Sequence, residues 1–135
     1  MSCKPYDVGT LERLEPAFDA MVGDGMEAVF FNAESLFYVA KKRIAELALA
    51  RKLPCCGYVK EVLDAGVLVS YGADQRSIAR QTASYVDRIL KGEKPADMPV
   101  EQPTRFQLCI NLTTAKALGL TIPPTLIAVA DEVVE

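Results

Sequence analysis

The sequence predicts an α/β fold with a mainly parallel sheet flanked by helices. Three observations support this class. Short apolar runs alternate with helix-period segments along the whole chain. The runs are continuous, which is typical of strands covered on both faces. The segments between them are long enough for the crossover helices that parallel strands need. With 135 residues, the chain can form one domain with a real core.

The first predicted helix ends at about Val22. Its start is either at Thr10, which is a suitable N-cap, or at Pro16, because proline disfavours a helical conformation at the residue before it. The glycines at 23 and 25 end it. The predicted buried stripe consists of Leu14, Phe18, Met21 and Val22.

The stretch 28–54 organises the rest of the chain. Residues 28–31 predict a strand, residues 35–51 a single long helix, and Pro54 the entry into the next strand. The turn 32–35 is therefore expected at the carboxyl end of a parallel strand and at a helix N-terminus, where open α/β sheets bind ligands. The alternative, which spacing alone favours, is that Asn32 or Ser35 only caps the helix.

Two further strands are predicted at 54–58 and 67–71, with a helical turn at 59–65 between them that Gly66 closes. Asp74 is then the predicted N-cap of a helix that ends before Gly92. The shared face of this helix comprises Ile78, Thr82, Tyr85, Val86, Ile89 and Leu90. The proline-rich segment 93–103 is predicted to be an extended surface connection.

The last part of the chain predicts a strand and two helices. Residues 105–111 alternate between apolar and more polar positions, which predicts a strand with one wetter face that carries Gln107, Cys109 and Asn111. A short helix follows and ends at Gly119. Pro124 suits the first turn of a final helix that extends to about Val134.

Composition excludes most catalytic chemistry. The chain has no histidine, which removes histidine acid–base catalysis and most zinc and iron sites. The spacing of Cys3, Cys55, Cys56 and Cys109 fits neither a zinc knuckle nor a CxxC motif, so these cysteines are expected to be reduced and structural. No GxGxxG, P-loop or GxSxG motif occurs. We therefore predict that the chain is not an enzyme, with no catalytic residues, no metal site and no cofactor.

Charge and hydropathy limit the partners and the location. The net charge is −3 and no dense basic run occurs, which argues against nucleic acid as a partner. No stretch has the apolar length of a membrane span. The N-terminal residues lack the apolar core of a signal peptide, so the sequence as given is predicted to be cytoplasmic.

A ligand site is predicted where three segments, 32–35, 57–61 and 70–74, end at one edge of the sheet. The predicted ligand-binding residues are Asn32, Ala33, Glu34, Ser35, Tyr58 and Tyr71. Helix amides would hold a carboxylate, Glu34 would face an ammonium group, and the tyrosines would stack on an apolar portion. The alternatives are that each tyrosine is a half-buried core residue and that Glu34 only complements the helix dipole.

Two long motifs resemble a known family. The segments LKGEKPADMPVEQPT and INLTTAKALGLTIPP closely resemble the C-terminal part of ABC-transporter substrate-binding proteins of the tryptophan/tyrosine-binding type. RIAELALARKLP and DAGVLVSYGAD also match, and the resemblance is continuous from about Leu14. It implies a type I periplasmic-binding-protein fold, with an amino acid or similar small ligand in the cleft between two lobes. It also implies that the turn 32–35 faces the ligand; many members carry an aspartate or asparagine there, to which Asn32 and Glu34 are the nearest equivalents.

The resemblance also implies a division of the chain. Residues 1–72 correspond to the second lobe, and residues 73–135 to elements that complete the first lobe, most of which the sequence lacks. The expected function is therefore that of a truncated substrate-binding component of an ABC-type uptake system, with weak or no ligand binding. The alternative is a cytoplasmic dimeric interaction protein without a ligand role.

The apolar helix face at 78–90 needs a cover in either case. A homodimer with exchanged elements is the favoured expectation, and refolding onto the chain's own sheet is the other. An ABC permease is expected as a partner only of a full-length form. Full-length relatives are expected to be periplasmic or lipid-anchored.

Overall fold

A computed structural model describes residues 3–135 of the chain. Five strands form one sheet in the order β1-β2-β3-β4-β5. The strands are β1 Val29–Phe30, β2 Cys55–Gly57, β3 Val69–Ala73, β4 Phe106–Asn111 and β5 Glu132–Val134. Neighbouring strands pair in parallel except β3 and β4, which are antiparallel. The predicted α/β class with a mainly parallel sheet is confirmed.

Among the described residues, six α-helices and three short 3-10 turns connect the strands. The helices are α1 Leu14–Gly23, α2 Ser35–Val39, α3 Lys41–Ala50, α4 Gln75–Leu90, α5 Leu112–Leu118 and α6 Pro124–Ala128. The 3-10 turns are Leu11–Arg13, Lys60–Ala65 and Pro95–Asp97. Within residues 3–135, no helix combines the length and the apolar character that crossing a bilayer requires.

The core lies between the sheet, α1, α3 and the 3-10 turn Lys60–Ala65. Its most buried large side chains are Ile44, Leu63, Ile110, Val62 and Val67. The predicted α1 stripe is confirmed for Leu14, Phe18 and Met21. It is wrong for Val22, which is 49% exposed and lies about 100° around the helix axis from the buried Met21.

The single helix predicted at 35–51 is wrong, because it is divided at Ala40. This residue ends α2 and precedes α3 with a ψ of 3°, away from the helical value. Ala40 is buried, and the break separates a helix without buried residues from one that buries Ile44, Ala45, Leu47 and Ala48. The bend therefore lets α3 bury residues in the core, while α2 contributes only partly buried side chains such as Phe37.

The wetter face predicted for β4 is also wrong. Burial increases along the strand, from the exposed Phe106 to the buried Cys109 and Asn111. Asn111 is satisfied inside the protein: its amide donates to the Leu63 carbonyl at 3.2 Å, and its side-chain oxygen accepts from the Thr114 amide at 2.8 Å. The polar side chain of Asn111 is therefore accommodated by internal hydrogen bonds rather than by solvent.

The final helix predicted to reach Val134 ends instead at Ala128. Glu132–Val134 forms strand β5 beside β4. The connection is fixed by Asp131, whose amide donates to the Leu108 carbonyl at 2.8 Å and whose carboxylate accepts from the Leu108 amide at 2.8 Å. The β-branched pair at 133–134 favours this extended form over a helix.

Helix α4 differs from the long helices α1 and α3 because none of its residues is buried. Its predicted N-cap is confirmed, since the Asp74 carboxylate accepts from the Arg76 amide at 3.0 Å. The following connection lies along one side of the helix. There Gln81 donates to Glu101, and the Tyr85 hydroxyl donates to the Pro99 carbonyl at 2.6 Å.

Candidate ligand site

The carboxyl ends of β1, β2 and β3 lie at one edge of the sheet. The pairs Phe30↔Cys56 and Gly57↔Ser70 set the register, and the Phe31 amide continues it by donating to the Cys56 carbonyl at 3.2 Å. One residue beyond Phe31, the same register places Asn32 opposite Tyr58, and Tyr58 opposite Tyr71. The segments that the sequence predicted to meet therefore share this edge, which we call the carboxyl edge.

The turn that follows β1 is open to solvent. Asn32, Ala33, Glu34 and Ser35 are all exposed. Glu34 occupies the N-cap position of α2 in an extended conformation, and no side-chain hydrogen bond caps this end of the helix. Asn32 and Ser35 therefore make no capping hydrogen bond to α2. Because α2 has only five residues, its dipole is weaker than that of the long helix that the sequence predicted.

An aromatic cluster lies beneath the turn and consists of Phe31, Phe37 and Tyr58. The Phe31 ring is buried and meets the other two edge to face, with centroids 6.2 Å from Phe37 and 6.1 Å from Tyr58. Sequence reasoning did not assign Phe31 or Phe37 to the site. The available signal was their position, directly before the turn and in the first helical turn after it.

The surroundings of Tyr58 are acidic. Burial raises the pKa of its phenol, and the neighbouring Tyr38, Glu34 and Glu61 raise that pKa further by disfavouring a second negative charge. Among these groups, Tyr38 and Glu61 are ones that the sequence did not single out.

Gly72 permits β3 to approach the residue that follows β2. A Cβ atom built on Gly72 would lie 1.8 Å from the Tyr58 carbonyl oxygen, far inside van der Waals contact. Only glycine leaves room for this oxygen. A glycine inside a predicted strand is the sequence signal of such an approach. Gly72 therefore allows the close contact between β3 and the backbone of Tyr58.

Tyr71 has a different neighbour from Tyr58. Its ring stacks on Phe106 of β4 with centroids 5.8 Å apart and an interplanar angle of 19°. Both residues are exposed, Tyr71 by 59%. The aromatic residues along the edge therefore form two groups, the cluster around Tyr58 and the Tyr71–Phe106 pair.

Two shallow grooves lie away from the carboxyl edge. One, of about 430 Å³, runs between α4 and residues 101–104. The other, of about 400 Å³, lies between the Leu11–Leu14 segment and α3. Neither includes a predicted ligand-binding residue.

The cysteines show no arrangement for chemistry among the described residues. All four are free, and no group of cysteines and carboxylates within residues 3–135 is arranged to hold a metal ion. Burial raises the pKa of the Cys55 thiol to about 12, which suppresses its reactive thiolate form.

Comparisons with solved structures find three proteins that share this fold. A conserved domain protein from Vibrio cholerae O1 biovar El Tor aligns over 93% of this chain and 42% of its own, with 27% identity and a TM-score of 0.85. An ABC domain from Streptococcus pneumoniae in complex with L-Trp aligns over 97% of this chain and 44% of its own, with 23% identity and a TM-score of 0.89.

A third solved structure is a ligand-free, open substrate binding protein with adhesive properties from Clostridium difficile. It aligns over 95% of this chain and 42% of its own, with 20% identity and a TM-score of 0.67. The chain therefore spans less than half the length of each of these three proteins. A comparison with curated proteins finds no match.

The family assignment comes from a match along nearly the whole sequence. Residues 1–134 match the family described as ABC transporter substrate binding protein. This is a family of transport proteins rather than a class of enzymes, and its members are typically periplasmic. The cytoplasmic location inferred from the sequence as given stays a prediction. The chain belongs to the ABC transporter substrate-binding protein family.

Proposed function

We propose that this chain provides a ligand-facing wall of an ABC-type uptake system for an amino acid or a similar small molecule. The observation that carries the proposal is the carboxyl edge, where an exposed turn without capping side chains stands beside an aromatic cluster and the Glu34 carboxylate. Polar groups on an apolar floor are the usual composition of a small-molecule site.

The proposed ligand class rests on the chemistry of the edge. Glu34 offers a negative charge for an ammonium group, and Tyr58 offers an aromatic surface for an apolar side chain. The neighbour from Streptococcus pneumoniae is in complex with L-Trp, but at 23% identity it supports only a shared fold. The amino-acid class therefore has to be tested on this chain.

Binding by the residues described here is expected to be weak. Small-molecule sites usually enclose most of the ligand, whereas the carboxyl edge is a single open wall. Dissociation constants of about 1 mM, equivalent to roughly −4 kcal/mol, are expected. The proposal also keeps the division of the chain into two parts. Residues 1–72 would correspond to the second lobe of a two-lobed binding protein, and residues 73–135 would complete its first lobe.

Saturation-transfer NMR suits such weak binding and tests the proposal with a panel of amino acids. We expect aromatic amino acids to give transfer signals that Glu34→Gln reduces. Glu27→Gln is the matched control, because Glu27 is exposed and precedes β1 at the opposite end of that strand. Equal effects of the two substitutions on every bound amino acid would show that the carboxyl edge is not the site.

A second candidate function is self-association through α4. The helix exposes an apolar stripe that includes Val86, Ile89 and Leu90, of which Leu90 is 82% exposed. We propose a second copy of the chain as its cover, because a twofold pairing would place the same stripe on both sides of the contact.

Light scattering at micromolar concentration distinguishes this candidate. We expect a dimer that Val86→Glu dissociates and Ser84→Glu does not, because Ser84 is an exposed residue on the side of α4 opposite the stripe. A folded monomer at these concentrations contradicts the second candidate and leaves the ligand proposal unaffected.

A further inference from the structure

The sheet has two faces, and the main hydrophobic cluster lies against one of them. Cys55 and Cys109 belong to this cluster, and Val29 packs against it. Phe30 and Cys56, the residues that follow Val29 and Cys55, lie on the other face, because successive residues of a strand alternate between faces. Phe30 is 64% exposed. The face that carries Phe30, which we call the outer face, is therefore open at β1.

Strand register makes the apolar side chains of the outer face continuous. Phe30 pairs with Cys56, and Cys56 pairs with Val69. Tyr71 lies two residues beyond Val69 on the same strand and therefore on the same face. Its ring stacks on the exposed Phe106 of β4 with centroids 5.8 Å apart. The outer face thus presents one apolar surface that crosses β1, β2, β3 and β4.

Helix α4 offers a second uncovered apolar surface. The residues of its stripe, Val86, Ile89 and Leu90, recur at helical spacing and are all exposed. The sixteen residues of the helix span about 24 Å. Four strands of a sheet measure roughly 19 Å across, at about 4.8 Å per strand. The helix is therefore long enough to cross the outer face from β1 to β4.

The helix does not cover the outer face of its own copy. One residue, Asp74, separates the end of β3 from the start of α4. The Asp74 amide donates to the Arg105 carbonyl at 3.0 Å, so the ladder between β3 and β4 continues up to the N-cap of the helix. Connections between strands and packed helices usually have about two to six residues. A single residue that is still bonded in the ladder leaves too little chain for α4 to fold back over Tyr71.

The exposed apolar area matches what a dimer requires. The three aromatic residues of the outer face and the three aliphatic residues of the stripe together expose roughly 600 Å² in one copy, at about 150–250 Å² per large side chain. If two copies exchange their helices, each contributes its stripe and its outer face. The two contacts then bury about 1,200 Å² from these side chains alone, which reaches the range of specific protein–protein interfaces.

From this complementarity we infer that α4 lies on the outer face of a second copy, and that two copies exchange their helices in a symmetric dimer. The inference rests on the self-association proposed for α4 and adds the surface that its stripe meets. Contact between stripe and sheet covers both apolar surfaces at once, whereas contact between two stripes leaves Phe30, Tyr71 and Phe106 in solvent. Helices on both faces are the usual arrangement of a mainly parallel sheet.

Two substitutions in the full chain test the inference by light scattering. Phe30→Glu places a charge on the outer face, and Val86→Glu places one on the stripe. We expect each to weaken dimerisation about 100-fold or more, since each introduces a charge into both apolar contacts of the dimer. Phe30→Leu, which keeps an apolar side chain, and Ser84→Glu, on the opposite side of α4, should leave the dimer intact.

A mixture of the two charged variants distinguishes the two modes of pairing. The Phe30→Glu chain retains an intact stripe and the Val86→Glu chain an intact outer face, so a mixed pair keeps one complete contact. We expect the two variants to be monomers alone at about 100 μM and to associate when mixed, because one remaining contact supports weak binding. Sedimentation velocity measures this association. Pairing of stripe with stripe gives no such complementation.

The remaining outcomes separate the inference from the self-association on which it rests. If Phe30→Glu stays dimeric while Val86→Glu dissociates, the stripes contact each other, and the inference is wrong while the self-association stands. A folded wild-type monomer at micromolar concentration contradicts both. Circular dichroism checks the folding of each variant, and Tyr71→Glu replaces Phe30→Glu if that variant does not fold.

Discussion

Two regions of the molecule are built from amphipathic sequence but are stabilised in different ways. One is the sheet together with α3, and the other is helix α4. Helix α3 has ten residues and buries four of them, Ile44, Ala45, Leu47 and Ala48. Helix α4 has sixteen residues and buries none. Its polar contacts include the Asp74 cap and side-chain hydrogen bonds to the connection that follows it. An apolar periodicity thus predicts a helix, but it does not say whether a partner covers that helix within the same chain.

The largest expected effect comes from removing matched leucine side chains in the two regions. Leu63 is 2% exposed, so Leu63→Ala should lower the free energy of unfolding by roughly 2–5 kcal/mol through lost burial and a cavity. Leu90→Ala, at a position exposed within a single copy, should change it by less than about 0.5 kcal/mol at protein concentrations too low for dimers to form. Urea unfolding followed by circular dichroism measures both, and a large cost for Leu90→Ala would show that α4 is covered in solution.

The next effect concerns the carboxyl edge. Gly72→Ala would drive a methyl group into the Tyr58 carbonyl oxygen, so we expect a loss of about 1–3 kcal/mol in the free energy of unfolding. Gly23→Ala is the control, because a Cβ there meets nothing within 4 Å. A neutral Gly72→Ala would mean that Tyr58 is not held against β3 as described.

The smallest expected effect is at the start of α4. Asp74→Ala removes the N-cap and should cost about 1 kcal/mol. Asp74→Asn keeps a capping oxygen and should cost clearly less. The pair with Arg105 adds little, because Arg105 is mostly exposed. Thermal unfolding of the two variants makes the comparison, and equal losses would assign the role of Asp74 to its charge rather than to the cap.

The fold was predictable where local signals and burial agree. The strand at 28–31, the closing glycine at 66 and the cap at Asp74 were all predicted from their neighbours and are confirmed. The failures are elements decided by distant contacts. Strand β5 forms because β4 is available to pair with it, and the break at Ala40 serves packing that the sequence of the helix does not encode.

The candidate site was predictable at the level of segments. Parallel strands place their carboxyl ends together, and this rule was enough to gather the turn at 32–35, Tyr58 and Tyr71 at one edge. Which side chains then meet depends on register and close approach. The Tyr71–Phe106 stack follows from the antiparallel pairing of β3 with β4, which no local pattern specifies.

The most direct test of the carboxyl edge as ligand surface is a titration of the ¹⁵N-labelled chain with L-tryptophan, followed by amide NMR shifts. We expect shifts concentrated at residues 31–38 and 58–61, with little change along α4 and residues 101–104. Shifts confined instead to the groove between α4 and residues 101–104 would place the ligand on the other region of the molecule and contradict the proposal.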